Sequence, residues 1–220
     1  MGVKKIHDLG DVPLPEANNN EKCIERITQY FSKIADAKKP VVSIGGDHSI
    51  TGGILQGLAK ENSTLTKGQK VSLLHIDAHT DTYNQLDHFL GAKKSAAHWG
   101  SYLVKQGQVD ASTSMQIGLR GNPRTLDWLQ PSYDLGYNVI TMAEFNKRGI
   151  ESVIQELSEK IGDNPLYITF DLDSLDPTIA PGVSNLEPSF KGFNIEEAKA
   201  LIQCVRSKKV IGGDVVCLMP

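Results

Sequence analysis

Short apolar runs alternate along this chain with longer stretches in which apolar and polar residues are mixed. Runs at 41–44, 71–76, 114–119, 138–142, 166–170 and 210–218 are nearly continuous in hydrophobicity, which predicts strands buried on both faces, as in a parallel sheet. Between them, Ile24, Ile27, Phe31 and Ile34 recur at three- and four-residue steps within 21–35. That spacing predicts a helix with one apolar stripe, and Asn20 is placed to cap its first turn. The segments 150–161 and 195–205 read the same way. Strand-helix alternation of this kind predicts an α/β fold with a doubly wound, mostly parallel sheet and helices on both faces. Ligands in such folds sit at the carboxyl ends of the strands. No repeat, low-complexity tract or linker divides the sequence, so one domain spanning 1–220 is expected, with 18–20 as a loop before the first helix. The weakly patterned stretch 82–101 follows a strand end, where a substrate loop belongs.

Composition narrows the function classes. With 40% hydrophobic and 22% charged residues, the 220-residue chain has the make-up of an ordinary globular protein. A net charge of −3, with acids and bases interspersed, supplies no basic field for nucleic acid. Cys23, Cys204 and Cys217 are odd in number and far apart, which argues against a disulfide framework or a zinc ribbon and for a reducing, cytoplasmic setting. No apolar run approaches the roughly 20 residues of a membrane span, and no membrane partner is expected.

Three polar clusters follow three of the expected strands: Gly45-Gly46-Asp47-His48-Ser49, Asp77-Ala78-His79-Thr80-Asp81, and Asp171-Leu172-Asp173-Ser174-Leu175-Asp176-Pro177. Residues two apart on extended backbone point to the same side, so Asp77 with His79, and Asp171 with Asp173, converge. Any one cluster alone is more often a cap or turn than a site, because Asp and Ser cap helices and Asp-Pro marks turns. Three in succession, each behind a strand, point to a site. Pooled carboxylates raise one another's pKa in a dry pocket, and divalent cations are the usual remedy. A mixed carboxylate and imidazole set suits Mn²⁺ or a similar borderline metal.

Together, GGDHS, DAHTD and the run from Phe170 to Pro177 resemble the three signature segments of the ureohydrolase family, which includes arginases, agmatinases and formiminoglutamases. The resemblance covers nearly the whole chain, from Asp8-Leu9-Gly10-Asp11 through Ile117-Gly118-Leu119-Arg120 to the last strand. It implies a three-layer α/β/α fold, a homo-oligomer (trimer or hexamer), and two divalent ions, Mn²⁺ first and Ni²⁺ second, whose bridging hydroxide attacks a guanidinium carbon. By the same resemblance Asp77 and Asp171 bridge the ions, His48 and Asp81 complete one, and His79 and Asp173 the other. Asp81 and Asp173 are further implied to hydrogen-bond the nucleophile or the leaving amine. A proton-shuttling histidine belongs on the loop after the second segment, which nominates His98, with His88 as runner-up. His75 reads as a packed histidine behind the ligands, His7 as structural, and Asp47 and Asp176 as supports for the ligands or their loops.

The sequence also departs from the family pattern. Where arginases and agmatinases carry a guanidinium-binding glutamate, this chain has Cys217, in Asp214-Val215-Val216-Cys217-Leu218-Met219-Pro220. A neutral thiol cannot replace a charge-assisted bidentate partner, and a small buried hydrophobe is the simpler reading of Cys217. Glu187, in Pro181-Gly182-Val183-Ser184-Asn185-Leu186-Glu187-Pro188, is the carboxylate nominated to compensate, and Asn84, after Thr82-Tyr83, offers a polar substrate contact. Family members also carry a strand before the position of Met1 and a helix after Pro220. Their lack here would leave the sheet with unpaired backbone and exposed apolar edges. The leading expectation is agmatinase-like hydrolysis of a small guanidino compound, agmatine or another carboxylate-free guanidine before arginine, releasing urea and an amine. The rival is a non-catalytic or regulatory paralogue that pairs with an active subunit. A deacetylase-like hydrolase with one ion accounts less well for six ligands.

Overall fold

The computed structural model describes residues 6–84, 91–121, 125–187 and 191–219. In chain order its elements are α1 (Asn20–Asp36), β1 (Val41–Ile44), α2 (Ser49–Leu58), β2 (Ser72–Ile76), α3 (Trp99–Lys105), β3 (Met115–Leu119), α4 (Gln130–Leu135), β4 (Asn138–Thr141), α5 (Met142–Arg148), α6 (Ile150–Ile161), β5 (Leu166–Asp171), α7 (Ile195–Cys204) and β6 (Val210–Val216). The six strands form one sheet in the order β1-β6-β5-β2-β3-β4, and every pairing is parallel. Helices on both faces make this the expected three-layer α/β/α architecture.

Strand alternation divides the core in two. Leu73 and Tyr167 face α1, α2 and α3, where Ile27, Phe31, Ile54, Leu55, Trp99 and Leu103 are buried. Leu74, Ile76 and Phe170 face the opposite layer, against Phe145, Val153, Leu157 and Leu201 of α5, α6 and α7. Each such side chain contributes about 1.5–3 kcal/mol on burial. The stripe predicted for 21–35 is the buried face of α1, but the cap is Asn19 rather than Asn20. Asn19 has the extended backbone (φ −130°) that lets its carboxamide oxygen accept the Lys22 N–H, and Asn20 is already helical.

Two features of the sheet bear on the site. At the edge, β1 leaves Val42 and Ile44 78% and 83% exposed. Across its middle, strand register aligns Ser43, Asp214, Thr169, His75 and Gln116 in one polar row on the α1–α3 face. Above that face, α2 packs against α1 through glycines. A Cβ on Gly53 would lie 2.9 Å from Ile27 Cγ2, and one on Gly57 would lie 2.6 Å from the Thr28 carbonyl oxygen.

Candidate metal centre

The ligands expected from the sequence come from the carboxyl ends of β1, β2 and β5. His48 opens α2 after the turn that leaves β1, with the Asp47 carboxylate accepting the Ser49 N–H at 2.7 Å to fix that turn. Asp77, His79 and Asp81 follow β2, Asp171 ends β5, and Asp173 lies in the 3-10 turn 172–174 that follows. The spacing of two does not act through extended backbone here: Asp173 lies in the 3-10 turn capped by Asp171, and in both pairs the first carboxylate holds its own loop. Asp77 Oδ1 accepts the His79 N–H at 2.7 Å, and Asp171 Oδ1 accepts the Asp173 N–H at 2.9 Å.

His48 Nδ1 lies 2.9, 3.0 and 3.2 Å from carboxylate oxygens of Asp77, Asp81 and Asp171. It is buried, and none of these contacts has hydrogen-bond alignment. Three acceptors and a ring nitrogen converging on one region without satisfying one another have the arrangement of ligands around a cation. A second group lies alongside. His79 Nδ1 is 3.4 Å from Asp77 Oδ1 and 3.2 Å from Asp173 Oδ2, so Asp77 serves both groups. Oxygen and imidazole donors without a thiolate fit a divalent ion of the Mn²⁺ type, and the donor set therefore fits the group implied by the sequence.

The electrostatics show how crowded the charge is. Burial opposes charge on the His48 ring, but Asp171, Asp77 and Asp81 outweigh it and hold its pKa well above the usual histidine range. His79 is raised in the same way, burial being outweighed by Asp173, Asp77 and Glu187. Asp77 is held well below the usual carboxylate range, since His48, His75 and His79 overcome its burial. Asp173 goes the other way, pushed well above that range by burial and by the Asp77 charge. Protons thus balance the pooled carboxylates, a role that cations can take over.

Behind the ligands the polar row forms two hydrogen-bonded chains. Gln116 Nε2 donates to His75 Nδ1 at 3.0 Å, which leaves His75 Nε2–H to donate to Asp77 Oδ2 at 2.7 Å. His75 is thus buried and packed against Asp77, as the sequence suggested. On the other side Asp214 accepts hydroxyls from Thr51 (2.8 Å), Tyr167 (2.8 Å) and Thr169 (2.6 Å). Thr169 has spent its proton on Asp214, so at 2.8 Å it accepts from His48 Nε2. In the neutral form that a ligating imidazole takes, this bond assigns the Nε2–H tautomer and leaves the Nδ1 lone pair for a cation among the carboxylates. Trp99 packs on both His48 and His75 at 4.9 Å between centroids and donates from Nε1 to Asp81 Oδ2 at 2.8 Å. Sequence reading missed Asp214, Thr169, Gln116 and Trp99. For the first three the one signal is a lone polar residue inside an apolar run, which gains meaning only through strand register, and Trp99, at the start of α3, carries no such signal.

The centre opens into a cavity of about 1530 Å³, whose wall includes His48, His79, Asp81, Asp171, Asp173, Glu187 and Cys217. Cys217 is buried with φ +65°, and its N–H donates to the Gly46 carbonyl at 2.9 Å. Burial, together with Asp171, pushes its thiol pKa up, so it presents a neutral SH. Glu187 Oε1 lies 2.9 Å from His79 Nε2. Asn84 is not brought to the cavity: it is exposed and accepts from Lys105 Nζ, while Tyr83 takes the place on the wall. His98 stands one layer back. It is buried, its Nδ1 2.8 Å from Ser95 Oγ, and Ser95, Ala96 and Ala97 form the wall in front of it. His88 lies outside the described residues. His7 is exposed rather than structural, and Asp176 supports its own loop through Thr178 and Gly192.

The chain is 34% identical to the human protein named guanidino acid hydrolase, mitochondrial, over 98% of its own length and 58% of the relative's. It is 33% identical to the agmatinase, mitochondrial, of Gallus gallus, over 98% of this chain and 60% of the relative. The solved structure of proclavaminate amidino hydrolase from Streptomyces clavuligerus superposes with a TM-score of 0.78 at 30% identity, covering 91% of this chain and 63% of that one. The chain thus spans about three fifths of the length of the relatives it matches. The Arginase family model matches residues 2–220. With the family model spanning nearly the whole chain and the fold and relatives in agreement, this chain belongs to the arginase family.

Proposed function

We propose that residues 1–220 act as one ureohydrolase domain that hydrolyses a C–N bond of a small guanidino compound, releasing urea and an amine. The observation that carries this reading is the convergence of His48, Asp77, His79, Asp81, Asp171 and Asp173 on one buried region at the floor of a cavity. These six residues would hold two divalent ions, Mn²⁺ before Ni²⁺, with Asp77 and Asp171 shared between them. When bound, such a pair supplies a water of lowered pKa and Lewis-acid stabilisation of developing negative charge. The chain's own groups do the rest. Asp81 and Asp173 would hydrogen-bond the attacking water or the departing amine. His98 is one hydrogen bond behind the wall and exchanges protons with the cavity through the Ser95 hydroxyl.

The wall also carries Glu21 and Asp47, with Lys93 as the one lysine or arginine among its described residues. This excess of acid favours a cationic substrate and a carboxylate-free tail, hence agmatine or a similar guanidine before arginine. Cys217 supplies no charge to the guanidinium. That absence supports a second reading, a non-catalytic paralogue that pairs with an active subunit. Urea and amine release from a panel of guanidines, measured on pure Mn²⁺- and Ni²⁺-loaded protein, separates the two: turnover of any member establishes an enzyme, and none across the panel supports the paralogue. No described helix is long and apolar enough to cross a membrane. Three free thiols favour a reducing, cytoplasmic setting. The exposed Val42 and Ile44 favour a homo-oligomer, proposed as a trimer or hexamer.

A further inference from the structure

Segment 181–187 reaches the centre from outside the sheet. It is tied to the stretch after β6 by an antiparallel bridge between Val183 and Leu218 and by the Met219 N–H, which donates to the Gly182 carbonyl at 2.9 Å. It ends at the cavity on Glu187, whose φ of +41° is a left-handed value that a residue with a side chain rarely adopts. Among the described non-glycine residues with positive φ, Asp81, Glu187 and Cys217 all line this cavity, and backbone held in such conformations clusters where function over-determines it. From that backbone the Glu187 carboxylate meets His79 Nε2 at 2.9 Å, while the opposite ring nitrogen faces Asp77 and Asp173.

We propose that Glu187 is a positioning residue for the metal centre: by accepting the His79 Nε2–H it fixes the ring's tautomer and direction, and so sets the affinity for the ion held by Asp77, His79 and Asp173. The inference rests on reading the cluster as a two-ion site. It moves Glu187 from the substrate-contact role suggested by the sequence to a role behind a ligand. A carboxylate behind a ligating imidazole raises its basicity and removes its freedom to turn, and loss of such a partner typically weakens metal binding about 10–100-fold. His79 benefits more than His48 does, because its side chain is 27% exposed and that of His48 only 2%, with Trp99 packed against the latter. The His79 ring rests on the Gly121 backbone, where an added Cβ would lie 2.7 Å from its Cδ2.

The test is calorimetric titration of metal-stripped protein with Mn²⁺ alone, without substrate. Wild type should take up two equivalents. Glu187→Ala should retain one with unchanged affinity and bind the other about 10–100-fold more weakly. Glu187→Gln, which keeps an oxygen acceptor, should lie between. Glu187→Gly relieves the +41° backbone without restoring the carboxylate and should match Glu187→Ala, which separates loss of the hydrogen bond from a disturbed loop. Unchanged binding of both equivalents by Glu187→Ala overturns the inference, and a raised KM with intact metal affinity would return Glu187 to the substrate. Fewer than two equivalents in wild type would instead overturn the two-ion reading, and this inference with it.

Discussion

Asp214→Asn is a nearly isosteric change that touches no metal ligand, yet the hydrogen bonds predict that it weakens the centre. Asp214 Oδ2 accepts from Thr51 and Tyr167, and Oδ1 accepts from Thr169. An asparagine has one carbonyl oxygen. Placing that oxygen at the Oδ2 position preserves two bonds and reverses one, whereas the opposite orientation reverses two, so the first is preferred. Its amide then donates to Thr169, whose hydroxyl proton must turn to His48 Nε2. His48 is driven to the Nδ1–H tautomer, and the nitrogen facing Asp77, Asp81 and Asp171 loses its lone pair. Perturbing a partner behind a ligand typically costs 10–100-fold in metal affinity, or about 1.4–2.7 kcal/mol. The fold should survive. Burial already pushes the Asp214 carboxyl up in pKa, so removing the buried charge offsets the weaker neutral hydrogen bonds. The assay is Mn²⁺ titration of stripped protein, paired with long-range ¹H–¹⁵N spectra that report the His48 tautomer. Thr169→Val should weaken binding similarly, and the double variant should be far from additive. Wild-type affinity for both ions in Asp214→Asn, with His48 switched to Nδ1–H, would refute the reasoning.

Asp77→Ala and Asp171→Ala should each abolish binding of at least one ion and nearly all turnover, read by elemental analysis and urea release, because either change leaves cationic charge uncompensated. His98→Ala should keep both ions and lower turnover by about 10²–10⁴-fold, with equal loss of metal sinking its proton-exchange role. Cys217→Glu should raise activity on agmatine, and Cys217→Ser should change little, since the thiol is neutral and packed; loss of all activity in Cys217→Ser would instead assign the sulfur a chemical role. In metal-free protein the raised pKa values of His48 and His79 contribute stability that is complete below their unfolded value of 6.5 and is lost as pH rises through the folded values. The raised Asp173 acts in the same direction, so the melting temperature of stripped protein should fall with pH above neutrality while Mn²⁺ affinity rises as protons stop competing. Gly57→Ala places a Cβ 2.6 Å from the Thr28 carbonyl oxygen and 2.8 Å from the Ser32 nitrogen. Despite alanine's better helix propensity it should cost about 2 kcal/mol, or roughly 4–8 °C in melting temperature.

The elements that were legible in the sequence are those whose signal is local. The stripe on 21–35 and the apolar runs located α1 and the six strands to within a few residues, because burial on one face or on both leaves a period that short windows detect. The last strand stops at Val216, two residues short of the apolar run, because Cys217 turns into left-handed backbone to meet Gly46. The first cap moved by one residue because Asn18, Asn19 and Asn20 are chemically equivalent and only backbone conformation selects among them. At the site, the pairs spaced by two residues were readable as polar clusters behind strands, although tight turns capped by Asp77 and Asp171, and not extended backbone, set their geometry. Thr169 and Asp214 were not, because the bond between them joins two strands whose register is a property of the assembled sheet. His98 and Asn84 were nominated by residue type and position, and neither choice could anticipate which side of its loop faces the cavity.

The close contact between α1 and α2 ties the metals to folding. In its ten residues α2 holds Gly52, Gly53 and Gly57, each about 1 kcal/mol worse than alanine, so this short segment cannot persist as a helix without α1 against it. His48 stands at its first turn. Undocking α1 therefore releases His48, and by reciprocity an ion held through His48 resists the undocking of α1, by an amount that grows with the logarithm of metal concentration. Amide exchange in a helix that touches no ligand becomes a gauge of free metal: the α1 amides should slow as Mn²⁺ is added, even though none of them lies at the ions.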